Sequence, residues 1–417
     1  ENLRQPFGYN ARRTLESYFG QVNYNYDGKY FFSGSVRRDG SSRFANDKWD
    51  TFGSVGASWV MTKEDFLFDN NIVNFLKLKT SWGITGDENG VGFYTGIDTF
   101  NPLNLGGNFA FSIREAQDPN LTWETAYMYQ FGAESTLFDF LDVNLDYYIK
   151  DTQNLIFARR LPPSTGIPGA QVTTNDGVLR NQGFEFDINA RIVETQDWGL
   201  SVSVNGETFN NELTTMPIDP STGEEAILTR NGRFGYAEGS SIFEYYMREY
   251  AGVDPADGAP MWYQYVNTNN GDVIQTMTPY LNENPDAVVE RRVTRTYSEA
   301  TDKFVGKSAI PDLRGAFRIN ARYKNFMLST QFTYQIGGYG YDSQYSELMS
   351  DRFGAAGNNF HTDIRNRWRQ PGDITSVPRL ADALDANASF TSTRFLTKTD
   401  FFAFNNFMIG YDFPKDL

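Results

Sequence analysis

Residues 181–193 read Asn-Gln-Gly-Phe-Glu-Phe-Asp-Ile-Asn-Ala-Arg-Ile-Val. Side chains alternate faces along an extended strand. Phe184, Phe186, Ile188, Ala190 and Ile192 therefore share one side, and Glu185, Asp187, Asn189 and Arg191 share the other. The pattern recurs at 317–324, where Phe317, Ile319, Ala321 and Tyr323 oppose Arg318, Asn320, Arg322 and Lys324. It recurs again at 141–150, with Tyr148 the one aromatic on the polar side. A strand with one apolar and one charged face fits a soluble core, or a wall with lipid outside and water inside.

Composition bears on that choice. Aromatic residues make up 16% of the 417 (35 Phe, 24 Tyr, 7 Trp), yet mean hydropathy is −0.50. Phe and Tyr, rather than Leu, Ile and Val, supply the apolar faces. Aromatic belts at lipid–water boundaries call for such usage, because Tyr has an apolar body and a wet tip. No run of 18 apolar residues occurs, which excludes a transmembrane helix. A transmembrane β-barrel stays open, since its signal per strand is weak. A soluble β-sandwich array or propeller is the alternative.

The net charge of −15 argues against a nucleic-acid partner, which calls for a basic face. Without cysteine there is no disulfide, thiolate nucleophile or Cys-based metal site. Glu1-Asn2-Leu3-Arg4 is polar and lacks the apolar core of a signal peptide. An exported protein with this sequence is expected to begin partway through a longer precursor.

Tyr18–Tyr26 alternates, Asp27-Gly28 signals a tight two-residue hairpin, and 30–36 continues the apolar face. Further strands are expected at about 51–61, 75–85, 122–134, 140–150, 181–193, 198–209, 313–324, 326–337 and 400–413. Short links at 27–28, 135–139, 194–197 and 324–326 alternate with long ones at 38–50, 86–121, 151–180, 210–312 and 338–399; the link at 62–74 is of moderate length. Barrels of the outer membrane show this asymmetry, with short periplasmic turns and long external loops. Parity then forbids 242–252 from being a single wall strand, and it is expected to belong to an external hairpin or small subdomain, with 261–266 as a candidate partner. Eleven wall strands result, an odd number that leaves an open arc incomplete at both ends.

Several stretches, taken in order, resemble the later part of the barrel of SusC/RagA-type TonB-dependent outer-membrane transporters. They are Arg37-Arg38-Asp39-Gly40-Ser41-Ser42-Arg43-Phe44; Leu76-Lys77-Leu78-Lys79-Thr80-Ser81-Trp82-Gly83-Ile84-Thr85-Gly86; and Leu121-Thr122-Trp123-Glu124-Thr125. Asp146–Thr152, Pro163–Gly166, Asn181-x-Gly183-Phe184-Glu185 and the Asn406…Gly410-Tyr411…Pro414 ending follow in the same order. Ala403 departs from the pattern, which commonly has Arg there. The resemblance implies an all-β fold, an antiparallel transmembrane β-barrel of about 22 strands, of which residues 1–417 supply part. It implies long extracellular loops, with 210–312 and 338–399 the largest, and a plug domain that is not in this sequence. It also implies a SusD-like surface lipoprotein as partner and TonB coupling through an N-terminal region outside this sequence. Outer-membrane lipid and lipopolysaccharide would surround the wall, and an oligosaccharide or oligopeptide would be the cargo.

Chemistry is sparse. His361 lies in a long loop near Asp363, and a polar loop histidine is preferred to a Ser-His-Asp site. Asp254-Pro255-Ala256-Asp257-Gly258 lacks the spacing of a calcium loop and reads as a turn pair. Gly337-Gly338-Tyr339-Gly340 precedes no helix and does not resemble a phosphate loop. No catalytic residue, metal or cofactor is expected. Phe93, Tyr94, Trp262 and Tyr263 are the candidates for stacking on cargo, with packing against a lid the competing role. Asp39-Gly40-Ser41-Ser42-Arg43 has contact with substrate as one reading and is expected instead to shape the turn at the barrel rim, with Arg43 pairing locally; Trp82, Gly83, Trp123, Glu124, Gly183 and Glu185 are expected to be structural. The runners-up in function are a barrel-borne enzyme or structural protein, and a soluble carbohydrate-binding β protein.

Overall fold

The computed structural model describes residues 11–413 apart from 69, 95–96, 116, 168–169, 220–221, 352–358 and 382–383. Pro414 of the ending motif lies outside the described residues. Eleven strands form one antiparallel sheet in chain order. They are β1 (Leu15–Tyr26), β2 (Tyr30–Ser41), β3 (Trp49–Val60), β4 (Val73–Asp87), β5 (Glu124–Leu137) and β6 (Leu141–Gln153), then β7 (Val178–Glu194), β8 (Trp198–Thr215), β9 (Leu313–Tyr323), β10 (Phe326–Ile336) and β11 (Phe401–Tyr411). All eleven expected wall strands are present. β7 and β8 run well past the alternating segments that announced them, because pairing continues through Asn181–Val178 and Asn211–Thr215 beyond the apolar stretch. The sheet does not close: among the described residues neither the outer edge of β1 nor that of β11 is paired.

Register assigns the faces. One row of directly opposed residues crosses all eleven strands: Tyr26, Tyr30, Trp59, Leu78, Ala133, Leu145, Phe186, Gly206, Gly315, Tyr334 and Phe402. No member is charged. Ile188, Phe317 and Tyr323 lie on this same face, and Glu185, Asp187, Arg318 and Arg322 lie on the other. Leu313 to Tyr323 spans ten residue steps, about 34 Å along the strand. At a tilt of about 40° that is about 26 Å of height, the size of an outer-membrane apolar band. The uncharged face is therefore the lipid face. Aromatic rings gather on it at the short-turn end: Trp198 against Tyr323 (4.3 Å), Phe326 against Tyr411 (4.7 Å) and Tyr30 against Trp59 (6.4 Å).

Two turn details differ from expectation. Asp27 and Gly28 both have positive φ (55° and 60°), and Lys29 N–H closes on Tyr26 O at 3.0 Å. Pairing resumes at Tyr26–Tyr30, however, so Lys29 is a third loop residue. The long links are also folded rather than bare. Link 86–121 holds a hairpin of Thr99–Leu105 and Asn108–Glu115, and link 151–180 holds one of Ile156–Arg160 and Gln171–Asn175.

Links 210–312 and 338–399 build a crown at the long-loop end. Segment 242–252 divides between two sheets: Glu244–Arg248 pairs with Asp302–Ser308, whereas Tyr250–Val253 pairs with Pro260–Asn267. Tyr246, Met247, Trp262 and Ile274 fill the interior of this part. The second link supplies a smaller cluster of Met349, Val377 and Phe395. Hydrogen bonds join the two, including Tyr250 N–H to Thr393 Oγ1 (2.9 Å), Trp368 Nε1 to Pro255 O (3.0 Å) and Tyr297 Oη to Thr391 O (2.8 Å).

Candidate functional site

The polar face of the wall is laced by charge pairs that cross strands. Lys79 on β4 reaches over β5 to Asp146 on β6 (3.0 Å) and also contacts Glu134 (3.3 Å). Gly132 lies beneath that bridge in the same row, and a Cβ there would overlap both partners. Arg180 grips Asp151 with two bonds of 2.7 and 2.8 Å. Arg191 pairs with Asp142, and Arg314 with Glu207. In the middle of this face a hollow is walled by Asp146, Glu185, Asp187, Glu207, Asn205 and Arg314. Beside it, toward β1, a second hollow is lined by Asn23, Asn25, Ser33, Ser81 and Gln130 together with Lys79. A face of this kind can line a water-filled passage and hold polar cargo by many replaceable hydrogen bonds.

The motif residues come together at the long-loop rim of β2–β5. Asp39, Gly40 and Ser41 end strand β2 instead of shaping a turn, and Asp39 and Ser41 are each 2% exposed. Asp39 Oδ2 accepts from Arg37 Nε (2.7 Å). The Trp49 ring lies where a side chain on Gly40 would be. Ser42 Oγ accepts from Thr14 N–H (2.9 Å). Arg43 does not pair locally: its Nη1 donates to Glu88 O (3.0 Å), and its guanidinium lies 5.5 Å from the centre of the Phe93 ring. Trp123 packs on Phe44 (5.1 Å) and Phe52 (5.5 Å), with Val91 and Leu121 completing a buried cluster. Glu124 Oε2 accepts from Ile156 N–H (3.1 Å), tying the 156–175 hairpin to the rim.

Elsewhere on the wall, Trp82 faces lipid beside Tyr129, and Gly83 sits against Ser54. Gly183 is opposite Tyr148, whose ring fills the space a side chain at 183 would need, so the odd aromatic on the polar face and the motif glycine are one feature. Glu185 is exposed in the central hollow.

The four stacking candidates separate. Phe93 and Tyr94 are exposed at the rim. Trp262 is 1% exposed, packed between Tyr250 and Tyr297, and has no free ring face for cargo. It is a core residue of the crown. Tyr263 is half-buried with Arg291 over its ring at 4.4 Å. Sequence reasoning missed both placements, because an aromatic pair in a polar link looks the same whether it faces in or out.

The histidine and turn motifs are also placed. His361 Nδ1 accepts from Asp363 N–H (3.2 Å) and its ring packs edge-on against Tyr345, which makes it a loop cap. Asp257 pairs with Arg295 (3.1 Å) and Arg379 (3.5 Å), and Asp254 also pairs with Arg295. Burial in the crown pushes the Tyr250 hydroxyl up to about 12, and burial holds the neighbouring Arg394 below its usual value.

A two-faced antiparallel wall with an aromatic edge and folded crown defines an outer-membrane β-barrel. The model of TonB dependent receptor-like β-barrels matches residues 2–237, more than half the chain, and the chain belongs to that family. It is 31% identical to TonB-dependent receptor P3 of Formosa agariphila over 99% of this chain and 40% of that protein. It is 28% identical to TonB-dependent receptor SusC of Bacteroides thetaiotaomicron, over 99% of this chain and 39% of SusC. Among solved structures, that of the RagAB peptide transporter superposes with a TM-score of 0.79 at 24% identity, covering 97% of this chain and 42% of that one. The wall is thus similar in sequence to SusC and in fold to the RagAB structure, and the chain spans about 40% of the length of the curated relatives it matches.

Proposed function

We propose that this chain is one arc of the wall, and the cell-surface crown, of an active transporter that imports an oligosaccharide or an oligopeptide. The observation that carries the reading is the wall itself: one uncharged row through all eleven strands, backed by a face of ion pairs and polar hollows. Such a wall separates lipid from a wet lumen. The relatives support the transport class, one being named SusC and another described as a peptide transporter. Energy would come through TonB, as their names state, acting on a part of those longer proteins that this chain does not match. Links 86–121, 151–180, 210–312 and 338–399 would lie on the cell surface and meet a SusD-like lipoprotein lid. Of the four stacking candidates, Phe93, beside Arg43, and Tyr94 are the two whose rings are exposed to touch cargo, and the rim motif residues support that end of the wall. The protein would bind and move its cargo without covalent chemistry.

The test uses the full-length receptor in its native membrane. Uptake of labelled oligosaccharides and oligopeptides should require both TonB and the receptor, and the receptor should co-purify with a surface lipoprotein. Uptake that persists after TonB is removed overturns the reading.

A further inference from the structure

Among the described residues, the hairpin of Thr99–Leu105 and Asn108–Glu115 forms a two-stranded sheet of its own that no other strand joins. The 156–175 hairpin is packed down, with Thr174 bonded to Asp118 and Asn175 to Thr122. The crown's rings are covered from within by Arg230 on Tyr246, Arg248 on Tyr297 and Arg291 on Tyr263. The 99–115 hairpin instead presents Phe100, Phe109 and Phe111 at 54%, 74% and 66% exposure. Register places them on one face with Pro102, Asn104 and Ile113, while Asn101, Leu103, Leu105, Asn108, Ala110 and Ser112 occupy the other, so the aromatic rings are confined to one side.

Its two edges are unlike. Leu105 and Asn108 flank a two-residue Gly106-Gly107 turn with φ of 60° and 87°, so this pair is hydrogen-bonded inward. Counting along the ladder, the backbone groups of Phe109, Phe111 and Ile113 point outward, as do those of Asn104 and Pro102. Pro102 thus sits where its missing N–H costs the hairpin nothing and blunts that outer edge. The 108–115 edge has no proline or lysine, and among the described residues no strand pairs with it. One edge is closed by chemistry and the other is left open.

We infer that the 108–115 edge is a docking site for an extended oligopeptide, which adds as a third strand alongside it, with alternate side chains continuing the Phe109–Phe111–Ile113 face. This deepens the transport reading above, on which it rests, by choosing peptide as the cargo class. Main-chain pairing recognises any peptide backbone, and alternate side chains settle on the apolar face. Taken by itself the patch suits a single strand: three rings at these exposures plus Ile113 offer about 450 Å², against the roughly 800 Å² per side of a stable protein interface, so a lid meeting this link would need the other links as well. A two-stranded hairpin is marginal alone, and a third strand with an apolar face is what such a unit lacks. The hairpin has a single basic residue, Arg114, where binding to anionic lipid headgroups calls for several.

The experiment uses the full-length receptor in detergent micelles and a fluorescent eight-residue peptide alternating Val and Thr, read by anisotropy. Phe111→Pro removes the outward N–H at the centre of the open edge and mirrors Pro102, leaving the hairpin ladder intact. It should raise Kd about tenfold or more, whereas Phe111→Val, which keeps the N–H, should change it less than about threefold. Equal Kd values for wild type and Phe111→Pro overturn the docking edge and leave transport standing. So does a receptor that imports glycans and binds no peptide. A receptor that imports neither class overturns the transport reading itself.

Discussion

Placing a charge on the two faces of β7 separates this wall from any sheet with a protein core on its apolar side. Ile188 is four residues from Phe184 and four from Ile192 on the uncharged side. At about 3.4 Å per residue and a tilt of about 40°, it lies roughly 10 Å from each end of the band, near the bilayer midplane. An arginine there costs about 2–4 kcal/mol. Losing the cross-strand contacts with Val143 and Val204 adds up to about 1 kcal/mol each. Ile188→Arg should therefore destabilise the full-length receptor by about 3 kcal/mol or more. Asp187→Arg, one residue away, points into the hollow beside Glu185 and Glu207 and should cost less than about 1 kcal/mol. Reversible urea unfolding in lipid vesicles, followed by tryptophan fluorescence, gives both numbers. A cost at 187 equal to or larger than that at 188 would refute the face assignment and the membrane reading built on it.

Other outcomes follow from the rim and crown. Trp123→Ala empties the cluster against Phe44 and Phe52 and should destabilise the rim by about 3–5 kcal/mol, seen as protease cleavage between 88 and 121 in the folded barrel. Gly258→Ala adds a Cβ against the Trp368 ring at a φ of +79°. It should loosen the 338–399 link from the 250–260 turn, with faster hydrogen exchange at Arg379 and Gly372, whose amides bond to Gly258 and Pro255. Tyr250 has a folded value of about 12 against an ordinary value of 10.0. Because the raised value belongs to the folded state, its contribution is intact below about pH 10 and is lost as pH climbs toward 12. That amounts to about 3 kcal/mol at most. Crown melting temperature should fall less steeply between pH 10 and 12 in Tyr250→Phe than in wild type; equal slopes refute burial of this hydroxyl.

The wall was legible because its physics repeats every two residues. Phe184 to Ile192 and Phe317 to Tyr323 alternate without a break, and the short turns between partners carry their own signals. The crown was not legible, since its strands are two to eight residues long and alternate over too few positions. Segment 242–252 looked like one strand, yet it is divided at Glu249, whose neighbours on either side pair in different sheets. The rim was half legible. Its motif residues could be named in sequence, but nothing local says that Arg43 would reach Glu88, or that Trp123 would close over Phe44 and Phe52. Those contacts join positions 45 to 79 residues apart. Tyr148 shows the same limit in small: an apparent exception to alternation in one strand is explained by Gly183 in its neighbour.

The two faces of the wall have different tasks in fixing register. A slip by one residue exchanges lipid and lumen faces and is excluded by the outer face alone. A slip by two keeps every apolar side chain outward, and lipid is nearly indifferent to it. Discrimination must then come from features that fit in one register only. The Lys79–Asp146 bridge exists because Gly132 lies beneath it; two residues along, Gln130 or Glu134 would stand in its path. Phe186 and Tyr334 lie over Gly206 and Gly315, where a Cβ would overlap them, and Tyr334 Oη reaches Asn205 O at 2.8 Å. Each partly exposed ion pair is worth only about 0–1 kcal/mol, too little to hold the wall together. Summed over several strands, such pairs and pockets suffice to penalise every two-residue slip, so specificity lies mainly in the pairs and glycines while stability lies in the apolar face.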